Sequence, residues 1–334
     1  MQILDCTLRD GANVVGKGFD AKLTRLMIEG LIRSNIKTIE MGNALGLGAY
    51  EANGAVAPLT DVEYLQLVQP YLKDAEIGMF IGHKNVNEAN VALAQKYGIA
   101  FLRIGANAGD GEMAYEKVRM VKAAGLKCRY SLMKGYILSA EALAEEALAL
   151  EACGLDEITI MDSAGTMTPD EVEHYCRTLS SQLRIPLAFH GHNNLGLSTG
   201  NALAAEKGGA KVVDCGLMGM ARSAGNCSTE LVAAAFQKKG GMEYIDLYTL
   251  LDFIDRELMP AMAEVSDYRP PVTPNDLVYG LAGAHSSFSG LFEAVAAERN
   301  VSLYRLIVEV SKLDRKAPTR ELIERVAQAL EPLS

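Results

Sequence analysis

The sequence predicts an α/β chain: a (β/α)8 TIM barrel followed by a small helical C-terminal domain. Three observations predict it. Eight short apolar runs of strand character alternate with eight amphipathic segments up to Gly240. Charged and histidine side chains gather at the C-terminal ends of those runs, where such barrels carry their chemistry. Past Gly240 the alternation stops and only helical patterning continues, which divides the chain into a barrel at 1–262 and a helical domain at 263–334.

The strand-like runs fall at about 2–7, 37–41, 75–81, 100–104, 126–132, 157–161, 186–192 and 211–216. Helical segments separate them near 20–34, 60–73, 86–97, 111–124, 139–153, 168–182, 196–208 and 226–239. Some announce their own starts. Ser139 precedes the apolar stripe of the fifth, and Thr168 stands as cap of the sixth with Pro169 in its first turn. Residues 245–262 and 287–332 read as further helices, joined through a proline-rich link at 267–274.

A chain of 334 residues with 49% hydrophobic content can fill a large core. A net charge of −10 without any basic run argues against a nucleic-acid surface. The six cysteines are scattered without C-x-x-C spacing, as expected of reduced, buried thiols. We find no signal peptide ahead of the first strand and no apolar run long enough for a bilayer, so the expectation is a cytoplasmic protein without a membrane partner.

The first apolar run ends in Arg9-Asp10-Gly11, and Gly11 is expected to let the backbone turn sharply there. A guanidinium beside a carboxylate at a strand mouth can hold a substrate oxyanion and a hard cation, or simply form an ion pair. Far along the chain, His190 and His192 stand at i and i+2 in the seventh run and so point to one face. Two imidazoles and a carboxylate suit a divalent cation with open positions. Barrel geometry brings Arg9, Asp10, Glu40, His83, Arg103, Lys134, Asp162, His190, His192 and Asn226 towards one mouth.

Thr7-Leu8-Arg9-Asp10-Gly11 together with His190-Gly191-His192-Asn193-Asn194 resembles the signature of the metal-dependent lyases and synthases related to HMG-CoA lyase, the DRE-TIM metallolyases. Asp162-Ser163-Ala164-Gly165, Ala224-Gly225-Asn226 and Ala284-His285-Ser286-Ser287-Phe288 are most similar to the 4-hydroxy-2-oxovalerate aldolase branch. The resemblance implies a class II aldolase or lyase that reversibly cleaves a 4-hydroxy-2-oxo acid to pyruvate and an aldehyde. It implies Asp10, His190 and His192 as ligands of Mn2+, with Mg2+, Co2+ or Zn2+ as substitutes, and Arg9 as the group that stabilises the enolate. Ser163 would hold the substrate carboxylate; Asn226 would bind substrate or cap the following helix; Lys134 and Tyr136 would add polar contacts. The C-terminal domain would cover the mouth and mediate association, as a dimer or with an acylating aldehyde dehydrogenase. The apolar faces at 291–295 and 303–310 fit such a covered surface, and packing within the chain explains them equally.

Two positions depart from the branch. Asn13 stands where its aldolases place the histidine that acts as general base, and an amide cannot take a proton near neutral pH. His285 stands where they have a tyrosine. His285 and His83 are therefore the candidate bases, His83 being equally readable as an exposed loop histidine. Two rival readings remain: a Claisen-type synthase joining an acyl-CoA to a 2-oxo acid, and a catalytically weakened homologue that still binds metal.

Overall fold

The computed structural model describes residues 1–52, 57–284, 286–314 and 316–333. Eight parallel strands close into one barrel in the order β1-β2-β3-β4-β5-β6-β7-β8: Gln2–Asp5, Thr38–Met41, Glu76–Gly82, Phe101–Asn107, Lys127–Met133, Glu157–Asp162, Leu187–Gly191 and Val212–Cys215. Their registers are unequal. β4 and β5 pair over seven positions, from Phe101↔Lys127 to Asn107↔Met133, whereas β1 meets β2 only at Asp5↔Ile39. The seam closes on the other side, where Gln2↔Val212 to Asp5↔Cys215 join β1 to β8.

Eight helices follow the strands, α1 to α8: Ala21–Arg33, Asp61–Leu67, Glu88–Lys96, Tyr115–Ala123, Ala140–Glu151, Pro169–Ser180, Ser198–Lys207 and Thr229–Lys238. Ser139 accepts from the Ala142 N–H at the start of α5. Thr168 and Glu171 form a reciprocal cap on α6 with Pro169 at its first turn, as the residue types require. Ile39, Ile77, Ile104, Leu132, Ile158 and Ile160 alternate along the strands and are buried against the helices. Inside the barrel a separate apolar plug of Leu4, Cys6, Phe101, Ala188 and Val212 forms the floor. All six cysteines are free and buried.

Beyond α8 the chain runs through Leu247–Phe253, a π-helical turn at Ile254–Leu258, and Met259–Ala263. The link that follows lies over the barrel mouth: Ser266 Oγ donates to the Val14 carbonyl at 3.1 Å and Tyr268 OH to that of Met218 at 2.8 Å. The proline-rich stretch itself starts a helix, Pro274–Ala282, because Pro274 suits a first turn; the sequence reading had only a link there. Helices Ser289–Arg299, Leu303–Leu313 and Arg320–Ala327 complete the chain. Their apolar faces are spent within the chain, since Phe292, Val295, Leu306, Ile307 and Val310 are all buried. No described helix is long and apolar enough to cross a membrane.

Two expected outcomes follow from this packing. A Cβ at Gly78 would stand 2.4 Å from the Phe101 ring, and one at Gly105 would stand 2.2 Å from the Phe80 ring. Gly78→Ala should therefore cost about 1–3 kcal/mol by overpacking, read as a lower urea midpoint at unchanged slope. The second concerns Glu230, buried in α8, whose carboxyl burial pushes up to about 7 although it accepts the Met218 N–H. The folded chain thus holds this proton more tightly than the unfolded chain, where a glutamate titrates at about 4.3. The penalty is absent below about pH 4, grows as pH rises, and is complete above about pH 7. Glu230→Gln should raise stability at pH 8 by on the order of 3 kcal/mol and leave it unchanged at pH 4; an equal gain at both would disprove the assignment.

Candidate metal centre and active site

Immediately after β1, the N–H groups of Arg9, Asp10 and Gly11 all approach the Cys6 carbonyl, at 3.1, 2.8 and 3.4 Å. This tight turn places Arg9 and Asp10 at the barrel mouth. Gly11 is not needed for its φ, which lies outside the left-handed region. It is needed for room: a Cβ would sit 3.1 Å from Thr7 Cγ2 and 3.2 Å from Met220. The turn residue of the sequence reading is a close-approach residue instead.

His190 lies on β7, and His192 just beyond it forms a bridge to Asn226 in the β8 loop. One ligand atom from each of Asp10, His190 and His192 lies within 4.8 Å of the other two, and all three residues are buried. His190 Nε2 is 3.6 Å and His192 Nε2 3.8 Å from Asp10 Oδ2. Gly165 holds this end of β7 in place. With φ +59° and a Cβ position 2.7 Å from the His192 carbonyl, it admits no side chain. The rest of that motif serves the same turn, since Asp162 accepts the Thr166 and Met167 N–H groups.

Asn226 is not a helix cap, because Ser228 occupies the N-cap position of α8. Its Nδ2 donates to Asp10 Oδ2 at 2.8 Å, and its Oδ1 is buried without a partner. Arg9 bonds Asp10 through Nη1 at 3.0 Å and Glu40 through Nε at 2.6 Å, stacks 4.8 Å from the Phe80 centroid, and keeps Nη2 buried and unpaired. Beneath it, Glu40 and Asp214 share the fully buried Arg103, and Asp214 also accepts from His190 Nδ1 at 3.1 Å. Glu40 and Arg103 therefore lie inside the barrel, under the mouth. Asp214 escaped the sequence reading; its one signal was a carboxylate within the apolar run Val212-Val213-Asp214-Cys215.

Burial would raise the Asp10 carboxyl, but Arg9 and the two histidines outweigh it and hold it well below the carboxylate range. Burial, helped by His190, pushes His192 down to about 4, so its imidazole is neutral at pH 7. An ionised carboxylate beside a neutral imidazole, with the unpartnered Asn226 Oδ1 next to them, is a donor set that fits a divalent cation, while the unpartnered Arg9 Nη2 suits an anion.

The other expected residues lie around this group. Ser163 Oγ accepts the Lys134 N–H at 2.9 Å, which leaves its own O–H to donate. Lys134 is exposed and left-handed at φ +57°, a strained setting for a lysine at a barrel mouth. Tyr136 is half-buried against the core, and no hydrogen bond of its side chain is seen among the described residues. His83 is half-buried at the end of β3, its Nδ1 3.3 Å from the Gly105 carbonyl. Asn13 donates to the Asp10 carbonyl at 2.8 Å. His285 lies outside the described residues.

Known proteins share both the sequence pattern and the fold of this chain. The chain is 31% identical to the 4-hydroxy-2-oxovalerate aldolase of Carboxydothermus hydrogenoformans, over 99% of its own length and 97% of that protein's. It is 35% identical to that of Pelotomaculum thermopropionicum, over 90% and 86%. The HMG-CoA lyase of Bacillus subtilis shares the fold with a TM-score of 0.65 at 17% identity, over 84% of this chain and 97% of that one. The carboxyl transferase domain of Rhizobium etli pyruvate carboxylase, solved with pyruvate, reaches a TM-score of 0.69 at 16% identity, over 99% and 62%. The HMGL-like family model matches residues 1–256, and the chain belongs to the HMGL-like family as a carbon–carbon lyase of the aldolase type.

Proposed function

We propose that the chain is a divalent-metal-dependent aldolase that cleaves a 4-hydroxy-2-oxo acid to pyruvate and an aldehyde, reversibly. The observation that carries this reading is the convergence of Asp10, His190 and His192 beside Arg9, in a relative of curated 4-hydroxy-2-oxovalerate aldolases. These three residues would hold the cation, with Asn226 Oδ1 close by. Mn2+ is the proposed metal, on the resemblance to the aldolase branch; a carboxylate with two imidazoles and no thiolate is compatible with it, and with Mg2+, Co2+ or Zn2+ as substitutes. When bound, the cation supplies Lewis-acid polarisation of the 2-oxo group.

The remaining steps belong to the side chains. A base removes the 4-hydroxyl proton, the C3–C4 electrons pass to the 2-oxo group, and an aldehyde leaves. Arg9 stabilises the developing enolate through Nη2, the one nitrogen its two carboxylate partners do not occupy. Ser163 donates its O–H to the substrate carboxylate, with Lys134 and Tyr136 at the edge of the same site. The base is His285 or, failing it, His83; Asn13 is excluded by its chemistry. A dimer, and docking of an acylating aldehyde dehydrogenase against the C-terminal helices, complete the proposal.

Metal binding is tested first. The His190→Ala/His192→Ala chain should keep its fold by circular dichroism and lose both Mn2+ and pyruvate release; stoichiometric Mn2+ retained by this variant would sink the site. The base is tested by comparing two reactions. Aldol cleavage needs a proton taken from a hydroxyl, whereas oxaloacetate decarboxylation needs Arg9 and the metal alone. His285→Ala should slow the first about 10²–10⁴-fold and spare the second. Equal damage to both, or to neither, would move the assignment to His83, with His83→Ala measured the same way.

A further inference from the structure

Asp214 is a carboxylate with 1% exposure on an interior strand, and both its partners are polar. Its Oδ2 accepts from His190 Nδ1 at 3.1 Å and from Arg103 Nη1. An ionised carboxylate only accepts, so His190 Nδ1 is the donor to Asp214, which turns Nε2 towards Asp10, 3.6 Å away. From Asp214 the bonds continue. Arg103 Nε donates to one oxygen of Glu40, and the other oxygen of Glu40 accepts from Arg9 Nε at 2.6 Å. Arg9 Nη1 returns to Asp10 at 3.0 Å. Asp10, Arg9, Glu40, Arg103, Asp214 and His190 thus form a chain of alternating donors and acceptors whose two ends, Asp10 and His190, face one another at 3.6 Å. His192 stands outside it, its Nδ1 buried and unpartnered.

We propose that Arg103, acting through Asp214 on one side and Glu40 on the other, is a positioning residue that fixes His190 and Arg9 relative to one another. It joins the arm that binds the cation to the arm that stabilises the enolate, and it touches neither cation nor substrate. The reason is the guanidinium fork: two nitrogens at a fixed angle engage two separate carboxylates, which a lysine ammonium cannot reproduce. The proposal rests on the cation reading given above. Arg129 supplies an internal control. It too is a buried arginine with two carboxylate partners, Glu76 and Glu157, but among the described residues no hydrogen bond leads from either to that chain of residues.

The test is a calorimetric Mn2+ titration of the metal-free chain and of Asp214→Asn, Arg103→Lys and Arg129→Lys. Asp214→Asn and Arg103→Lys should weaken Mn2+ binding about 10–100-fold, the usual effect of losing support behind a ligand, and Arg129→Lys should leave it within about 3-fold. At saturating Mn2+, Arg103→Lys should still lower kcat for oxaloacetate decarboxylation at nearly unchanged KM, because the Arg9 arm is loosened as well. Unchanged Mn2+ affinity in the first two variants overturns the proposal. So does equal weakening in Arg129→Lys, which would report a generally softened barrel. If the unmodified chain itself binds no Mn2+, the cation reading falls and takes this proposal with it. Should Arg103→Lys not fold by circular dichroism, Asp214→Asn and Glu40→Gln read the arms separately. The first should act mainly on Mn2+ affinity and the second mainly on kcat, each with a smaller effect on the other readout because Arg103 joins the arms; effects confined each to its own arm, or neither altering either, overturn the coupling.

Discussion

A guanidinium without solvent at the centre of a barrel is the constraint on which the site depends. Transferring a charge from water to a protein interior costs several kcal/mol even after relaxation, against a total stability of about 5–15 kcal/mol for a domain. Arg103 is tolerable only because Glu40 and Asp214 meet it, and each of those is tolerable only because Arg103 meets them. The same holds outward, where Arg9 offsets Glu40 and Asp10. Removing one partner leaves its neighbour charged and dry, a loss of about 3–5 kcal/mol, so these residues stand or fall together. Filling the same volume with branched apolar side chains would stabilise the barrel at least as well. The polarity of the interior is accounted for by what it holds in position.

The floor shows the contrast. Leu4, Phe101, Ala188 and Val212 pack inside the barrel with side chains that have nothing to satisfy, and Cys6, in the same cluster, gives its thiol hydrogen to the Cys215 carbonyl at 3.2 Å. Arg129 stacks on Phe101, its centre 4.2 Å from the ring, and pairs with Glu76 and Glu157.

The strands were legible because both their faces are buried, which writes them as nearly continuous apolar runs; β3 to β6 lie within a few residues of where those runs end. The grouping of His190 and His192 beside Asp10 was legible for a related reason: a two-residue histidine spacing at the end of a strand places both rings on one face. Asp214 was not, because a lone carboxylate in such a run resembles ordinary surface alternation until the barrel closes around it. Asn226 was ambiguous since an asparagine ahead of a helix fits a cap as well as a site, and only the position of Ser228 decides. Helix Pro274–Ala282 was hidden by its prolines, one of which begins it. The apolar faces at 291–295 and 303–310 were visible, but a sequence does not say whether such a face meets its own chain.

The uneven seam of the barrel has a consequence for biosynthesis. β1 carries Arg9 and Asp10 at its end, yet it shares one register pair with its neighbour in sequence and four with β8, about two hundred residues later. While the chain emerges from a ribosome, its first strand has little to hold until the last barrel strand arrives, and the histidines of β7 precede that arrival only slightly. Asp10 and the two imidazoles therefore come within reach of one another only when the circle is complete. A truncated or stalled nascent chain carries the three residues without their convergence.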